Sequence, residues 1–287
     1  MYYLQLALNG LSQGLVVGLA ALSITLVFGV ARFANASAGD GLSFGAYAAL
    51  MGQRLTGSIV VGAGLAVIVT ALASVLGYRL VFKPLAGRSS VALLVGSIGL
   101  GFLIRGALGV CFGHQQQVFE VPMTPPYLVG GLAISLLDVQ MAAVAALCLA
   151  VAFGTLYFTP IGRQMRAVAD NADLARVSGI RPERVMLSLW CLAGGITAIA
   201  GLILGIKTVA SPEIGWEMLL PSFAAAILGG IGSPAGAVLA GLLLGVAQEV
   251  STPFVGYTYK IALSFLVILL VLLFRPQGLL GRIEGVR

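Results

Sequence analysis

The sequence predicts an all-α membrane protein: a polytopic bundle of about eight or nine transmembrane helices, some of them broken or re-entrant. Two observations carry this. Hydrophobic residues fill 59% of the 287 positions and charged residues only 9%, whereas a soluble chain carries about 25% charged residues to cover its surface. The apolar runs are also long and continuous, at 6–30, 36–56, 57–78, 91–113, 131–158, 186–208, 219–233, 235–252 and 257–274. Mean hydropathy is +1.05. In lipid the backbone must satisfy its own polar groups, so only helices or a closed barrel can span. Barrel strands alternate over about 10 residues, and these runs do not.

Taken in order, the first run, Leu6 to Val30, reads as a retained helix. It exceeds the ~7–15 residues of a signal-peptide core and has no basic residue before it. The second, 36–56, is rich in Gly, Ala and Ser and holds Asp40, Gln53 and Arg54. The seventh is short and ends in Gly229-Gly230-Ile231-Gly232-Ser233-Pro234. Either is a candidate for a broken helix, which survives at membrane depth only when shielded by protein or facing a cavity. Three glycine steps, Gly10/Gly14/Gly18, Gly201/Gly205 and Gly241/Gly245, suit close helix packing.

Charge sets the orientation. Eleven of the 16 basic residues fall in three places: Arg79, Lys83 and Arg88; Arg163, Arg166, Arg176, Arg181 and Arg184; and Arg275, Arg282 and Arg287. Positive loops stay inside, so loops 79–90 and 159–185 and the C-terminus are expected to be cytoplasmic. The N-terminus is outside if 36–56 crosses, and inside if it does not. Tyr2, Tyr3, Tyr127, Trp216, Tyr257 and Tyr259 would then form an outer aromatic belt. The net charge of +6 follows from the same asymmetry and gives no reason to expect nucleic acid. Cys111, Cys148 and Cys191 stand apart, so no metal site, cofactor or disulfide framework is expected.

Catalysis fits poorly, and no catalytic residue is assigned. Gly41-Leu42-Ser43-Phe44-Gly45 matches the G-x-S-x-G pattern, but the single histidine, His114, lies in a predicted outer loop. That pattern needs a strand-turn-helix elbow and an activating histidine. No phosphate-binding loop is present either.

The stretch 159–185 is the most informative. Thr159 can cap a helix with Pro160 at its first position, and Gly179 and Pro182 can end it. Ile161, Met165, Val168, Ala172 and Ala175 recur at helical spacing, opposite Arg163, Arg166, Asp170, Asn171, Asp173 and Arg176. Such a helix lies on the lipid surface or docks a cytoplasmic protein. Here the residues resemble the coupling loop of branched-chain amino acid permeases of ATP-binding cassette importers, through Gly162-Arg163, Arg166-Ala167-Val168-Ala169, Asn171, Ala175 and Gly179-Ile180. The stretch Arg32 to Tyr47 resembles the family segment R-V-I-N-F-A-H-G-E-x-x-x-x-G-A-Y, with Asp40 at the acidic position. Ala36 and Ala38 depart from it, where Phe and His are common. Segment 224–245 and the tail Arg275-Pro276-Gln277-Gly278-Leu279-Leu280-Gly281 also resemble that family.

The resemblance implies one transmembrane permease domain over 1–287, in a bacterial inner membrane. It implies a second permease subunit, homologous or identical, two cytoplasmic ATPase subunits and a periplasmic solute-binding protein. The solute would be a branched-chain amino acid or a related small polar solute. Urea, simple sugars, carboxylated or aromatic compounds, and a self-contained secondary transporter are the alternatives. Gly162, Arg163, Arg166, Asp170, Asn171 and Gly179 are the expected ATPase-coupling residues. Asn35, Ser37, Asp40 and Ser43 cannot sit cheaply against lipid and are the expected substrate pathway. Arg105 joins them: it lies about 21 Å along the span that starts at Val91.

Overall fold

The computed structural model describes residues 2–121, 125–129, 132–256, 259–275 and 277–281. Tyr257 of the expected belt, Pro276 of the tail motif and the basic residues Arg282 and Arg287 lie outside the described residues. The chain runs as α1 Tyr2–Ala31, α2 Ser37–Thr56 and α3 Ile59–Gly77, which continues through a π-helical turn Tyr78–Phe82 into α4 Lys83–Leu85. Then come α5 Ser90–Phe112, a small antiparallel hairpin of β1 Tyr127–Val129 and β2 Leu132–Ile134, and α6 Leu136–Phe158. The short α7 Pro160–Asp170 and α8 Ala172–Val177 follow. The chain finishes with α9 Pro182–Lys207, α10 Ile214–Gly229, α11 Pro234–Val255 and α12 Lys260–Phe274.

The fold is an all-α polytopic bundle. Among the described residues six helices are long and apolar enough to cross a membrane: α1, α3 with its continuation to Leu85, α5, α6, α9 and α11. The other three apolar segments also became helices but miss that standard. Helix α2 has the length, 20 residues, but carries Asp40 and Arg54. Helices α10 and α12 are apolar but have only 16 and 15 residues.

Helix α1 is the axis of the bundle. Its residues Val16, Val17, Leu19, Ala21 and Leu22 are fully buried, and α9 and α11 flank it. Its polar side chains Ser23 and Thr25 face inward. Ser23 Oγ lies 2.7 Å from Thr197 Oγ1 on α9, and Ser23 also donates to Ala193 O. The contact with α11 is backbone on backbone: a Cβ on Gly14 would stand 2.8 Å from Leu242 Cα, and one on Gly10 would stand 2.6 Å from Val246 Cα. All three glycine steps pack inside the chain, with Gly201 against the Leu42 carbonyl and Gly205 against Ala46 and Phe119.

One expectation needs correction. Segment 36–56 is not broken within itself. Its glycines lie in a regular helix, where Gly39 and Gly45 allow the backbones of α10 and α9 to close in: a Cβ at either would stand 2.7–2.8 Å from Gly215 O or Ala198 Cα. Tertiary approach outweighs the ~1 kcal/mol helical cost of each glycine. The break lies before the helix, at residues 32–36. Arg32 there has φ of 55°, a left-handed conformation costing about 1–2 kcal/mol for a residue with a side chain. Phe33 anchors the break in a buried aromatic stack with Phe82 and Trp190, whose rings are 4.6 Å apart.

The basic segments gather at one end. Lys83 pairs with Glu183 at the start of α9, and Arg32 donates to Ala169 O of α7 at 2.8 Å. The tail joins them, since Leu279 N and Leu280 N donate to the last carbonyls of α10. The other end holds Arg54 with Gln117, Gln53 with the Glu120 carbonyl, and Lys207 with Asp138.

Candidate functional site

The first site is a polar junction between α2, α5 and α10. The chain reaches it twice in non-helical form, through the break 32–36 and through residues 208–213, which connect α9 to α10. Ser43 of α2 ties the second piece down: its Oγ donates to Pro212 O at 3.0 Å and accepts from Gly215 N at 2.9 Å. Tyr47 OH donates to Ala210 O, whose residue also pairs with Gln117 through two backbone hydrogen bonds. Ser43 is 13 residues short of Thr56, the end of α2 away from the basic segments, or about 20 Å at 1.5 Å per residue. So the start of α10 is folded into the interior of the bundle, not perched at its end.

At this depth Arg105 meets Asp40. Arg105 Nε donates to Asp40 Oδ1 at 2.9 Å, and Nη2 lies 2.8 Å from the same oxygen. Nη2 is buried and makes no aligned hydrogen bond. The side chain of Asp40 is 2% exposed and that of Arg105 18%, so the pair sits at the boundary of the chain with one flank open. Gly101 on α5 makes the room, because a Cβ there would collide with Asp40 Oδ2. The guanidinium lies over two rings, Trp216 at 4.6 Å and Phe102 at 5.2 Å, an arrangement that attracts a cation to the ring faces. By helix length Arg105 is about 22 Å from Ser90 and about 10 Å from Phe112, the two ends of α5.

The other expected pathway residues are engaged locally. Asn35 Oδ1 accepts from Ser37 N at 3.2 Å and Ser37 Oγ at 2.7 Å, and so caps the start of α2. Ala36 N donates to Ser97 Oγ on α5. Asn35, Ser37 and Ser43 are all buried. The gap behind them, of about 180 Å³ and lined by Ala20, Ala38, Gly39, Thr197 and Ser222 among others, does not admit a water-sized sphere. Solute cannot pass there with the helices in this arrangement.

Two residues at the junction were not legible as such in the sequence. Trp216 was expected in the outer belt, and Glu217 was not singled out. Both are exposed on the first turns of α10, Trp216 against Arg105. The only signal was indirect, in that segment 219–233 was short for a span.

The second site is the α7–α8 elbow at the basic end. Thr159 Oγ1 accepts from Gly162 N and caps α7 as its sequence predicts. The expected single helix is two. Asn171 has φ −155° and its Oδ1 accepts from Asp173 N and Leu174 N, both at 3.0 Å, so it ends α7 and starts α8. Gly162 is buried against the Leu156 carbonyl and packs rather than presents. Arg166 donates to that carbonyl and lies over Tyr157. Arg163, Asp170 and Gly179 are exposed. So are Leu174 and Val177, at 64% and 86%, apolar residues off the periodic face that the sequence pattern singled out. Met165, Val168 and Ala175 of that face are buried.

Non-helical backbone and an ion pair held at membrane depth belong to a solute-conducting membrane protein, not to a simple helical anchor. The comparisons give its kind. The chain belongs to the family of branched-chain amino acid transport system permease components, whose model matches residues 6–274. It is 30% identical to the high-affinity branched-chain amino acid transport system permease protein LivH of Escherichia coli K12, over 99% of this chain and 97% of that one. It is equally 30% identical to the permease protein BraD of Pseudomonas aeruginosa, over 99% and 97%. A chain in the solved structure of PsaBC from Streptococcus pneumoniae in complex with Fab shares the fold, with TM-score 0.51, 15% identity, and 96% of this chain and 93% of that one covered. The protein is a multi-pass membrane permease subunit.

Proposed function

We propose that this chain is one of two permease subunits of an ATP-driven importer in a bacterial inner membrane, and that solute passes along the α2–α5–α10 junction between the two subunits. The observation that carries the route is the open flank of the junction. Arg105, Trp216 and Glu217 reach the surface of the chain at a depth where lipid would surround them. A charge facing lipid costs at least about 2.5–3.5 kcal/mol at the centre of a span. Water and a second subunit on that flank remove the cost. The closed gap behind α2 agrees with a path outside the single chain.

The names of LivH and BraD support a branched-chain amino acid or a related small polar solute as the cargo. A periplasmic solute-binding protein would deliver it, and two cytoplasmic ATPases would drive it. The α7–α8 elbow is their docking element in this reading, presenting Arg163, Asp170, Leu174 and Val177. Arg32 links that elbow to the break before α2 through its bond to Ala169, so a push on α7 reaches the junction. The basic end, with the C-terminus, faces the cytoplasm.

The test is solvent access at depth. In a cysteine-free background, Phe102→Cys in the assembled transporter should react with a membrane-impermeant thiol reagent. Leu269→Cys, on the exposed apolar face of α12, should not. Failure of Phe102→Cys to react in any nucleotide state would remove the route from this face.

A further inference from the structure

We infer that Glu217, exposed on α10 next to Trp216, whose ring lies against Arg105, selects solutes that carry a protonated amine. This deepens the route proposed above and rests on it.

The argument is a charge balance. Asp40 and Arg105 cancel, because they are within hydrogen-bond distance of each other. Glu217 has no cation within ion-pair distance among the described residues, and neither has Glu213, one turn earlier. Both are exposed. The N-terminus of α10 supplies only about half an elementary positive charge. Two carboxylates against that half charge leave the face clearly negative. In surroundings drier than bulk water a charge at 4 Å acts several times more strongly, so this face favours a cation and repels a lone carboxylate.

Three further features fit an amine-bearing solute with an apolar tail. Pro221 lies four residues after Glu217 and has no N–H, so the Glu217 carbonyl loses its usual helical donor and can accept from an ammonium group. The ring faces of Trp216 and Phe102, 6.1 Å apart, present both apolar area and a negative quadrupole. The Arg105 side chain, 18% exposed against these rings, can meet a carboxylate only when the solute also brings a positive group for Glu217. Glu217 is therefore assigned as a specificity-determining residue, with Arg105 as the weaker second contact.

Trp216 provides the readout, since the chain has only two tryptophans and Trp190 is buried in the aromatic stack. The full-length chain with Trp190→Phe, held in amphipol, would be titrated with three probes of one shape: isopentylamine, leucine and 4-methylpentanoate. Isopentylamine and leucine should change Trp216 emission at millimolar concentration, and 4-methylpentanoate should not. Glu217→Gln should weaken both amine-bearing probes about tenfold or more, as expected for loss of a charge-assisted contact. Glu217→Asp should recover part of that loss. Equal response to 4-methylpentanoate and isopentylamine, unchanged affinities in Glu217→Gln, or silence with all three probes would each overturn the assignment. The Phe102→Cys labelling then separates the two readings: labelling with no amine preference leaves the route standing and removes only the role of Glu217.

Discussion

Asp40 and Arg105 are each tolerable in an apolar bundle because of the other. Removing one partner leaves a lone charge at membrane depth, which typically costs about 3–5 kcal/mol, whereas removing both can be nearly neutral. Asp40→Asn and Arg105→Gln should each lower the melting temperature of the purified chain clearly. The double variant D40N/R105Q should melt above both singles. Thermal unfolding in detergent measures this, and losses that simply add would show that the two side chains are not coupled. The sequence marked both residues as costly but could not show that they pair, because 65 positions separate them. Nor could it show that Asn35, Ser37 and Ser43 bond locally. The departures at Ala36 and Ala38 also differ in meaning once placed. Ala36 is 7% exposed in an apolar cluster with Ile24 and Leu219, so the small residue fits the packing there and Ala36→Phe would overfill it. Ala38 lines the closed gap behind α2.

Each apolar run of the sequence became a helix, because hydropathy reports directly on the solvent that surrounds a segment. What hydropathy does not report is where a helix starts in depth. The α10 start lies low because Ser43 and Tyr47 hold residues 210–215 down, contacts made across more than 160 positions. The elbow at Asn171 was hidden for a different reason: its periodic apolar residues continue through the break, while the capping bonds of Asn171 interrupt the helix. The elbow also yields the sharper docking test. Val177→Glu alters a side chain 86% exposed, so it should change stability by less than about 0.5 kcal/mol. It should nevertheless reduce co-purification of the ATPase subunits. Full retention of the ATPase would exclude Val177 from the docking surface. For the helix pair at the axis, Gly14→Leu should prevent accumulation of folded chain, while Gly64→Ala, with open space around its Cβ position, should not.

At the scale of the whole molecule, the two ends of the bundle differ in charge as the loops of the sequence do. Cysteines at Ser90 and Asn171 should resist an impermeant thiol reagent in intact cells, and one at Gly57 should react. Labelling at Ser90 or Asn171 would reverse the orientation. The glycine contact between α1 and α11 has a consequence for how such a bundle can move. Gly10, Gly14 and Gly18 meet Val246, Leu242 and Val238 in register, two antiparallel combs with teeth four residues apart. A screw motion of one residue, about 1.5 Å along the axis and about 100° around it, would push Leu11, Leu15 and Leu19 into backbone that has room only for hydrogen. The next permitted register is a full tooth away, about 6 Å, and forfeits one of the three contacts. Such changes of register between these two helices are therefore opposed, and they travel as one beam. The freedom a transport cycle needs must come from the helices hung on that beam; α5 is one of them, held mainly through α2 and the turn at Tyr78–Phe82.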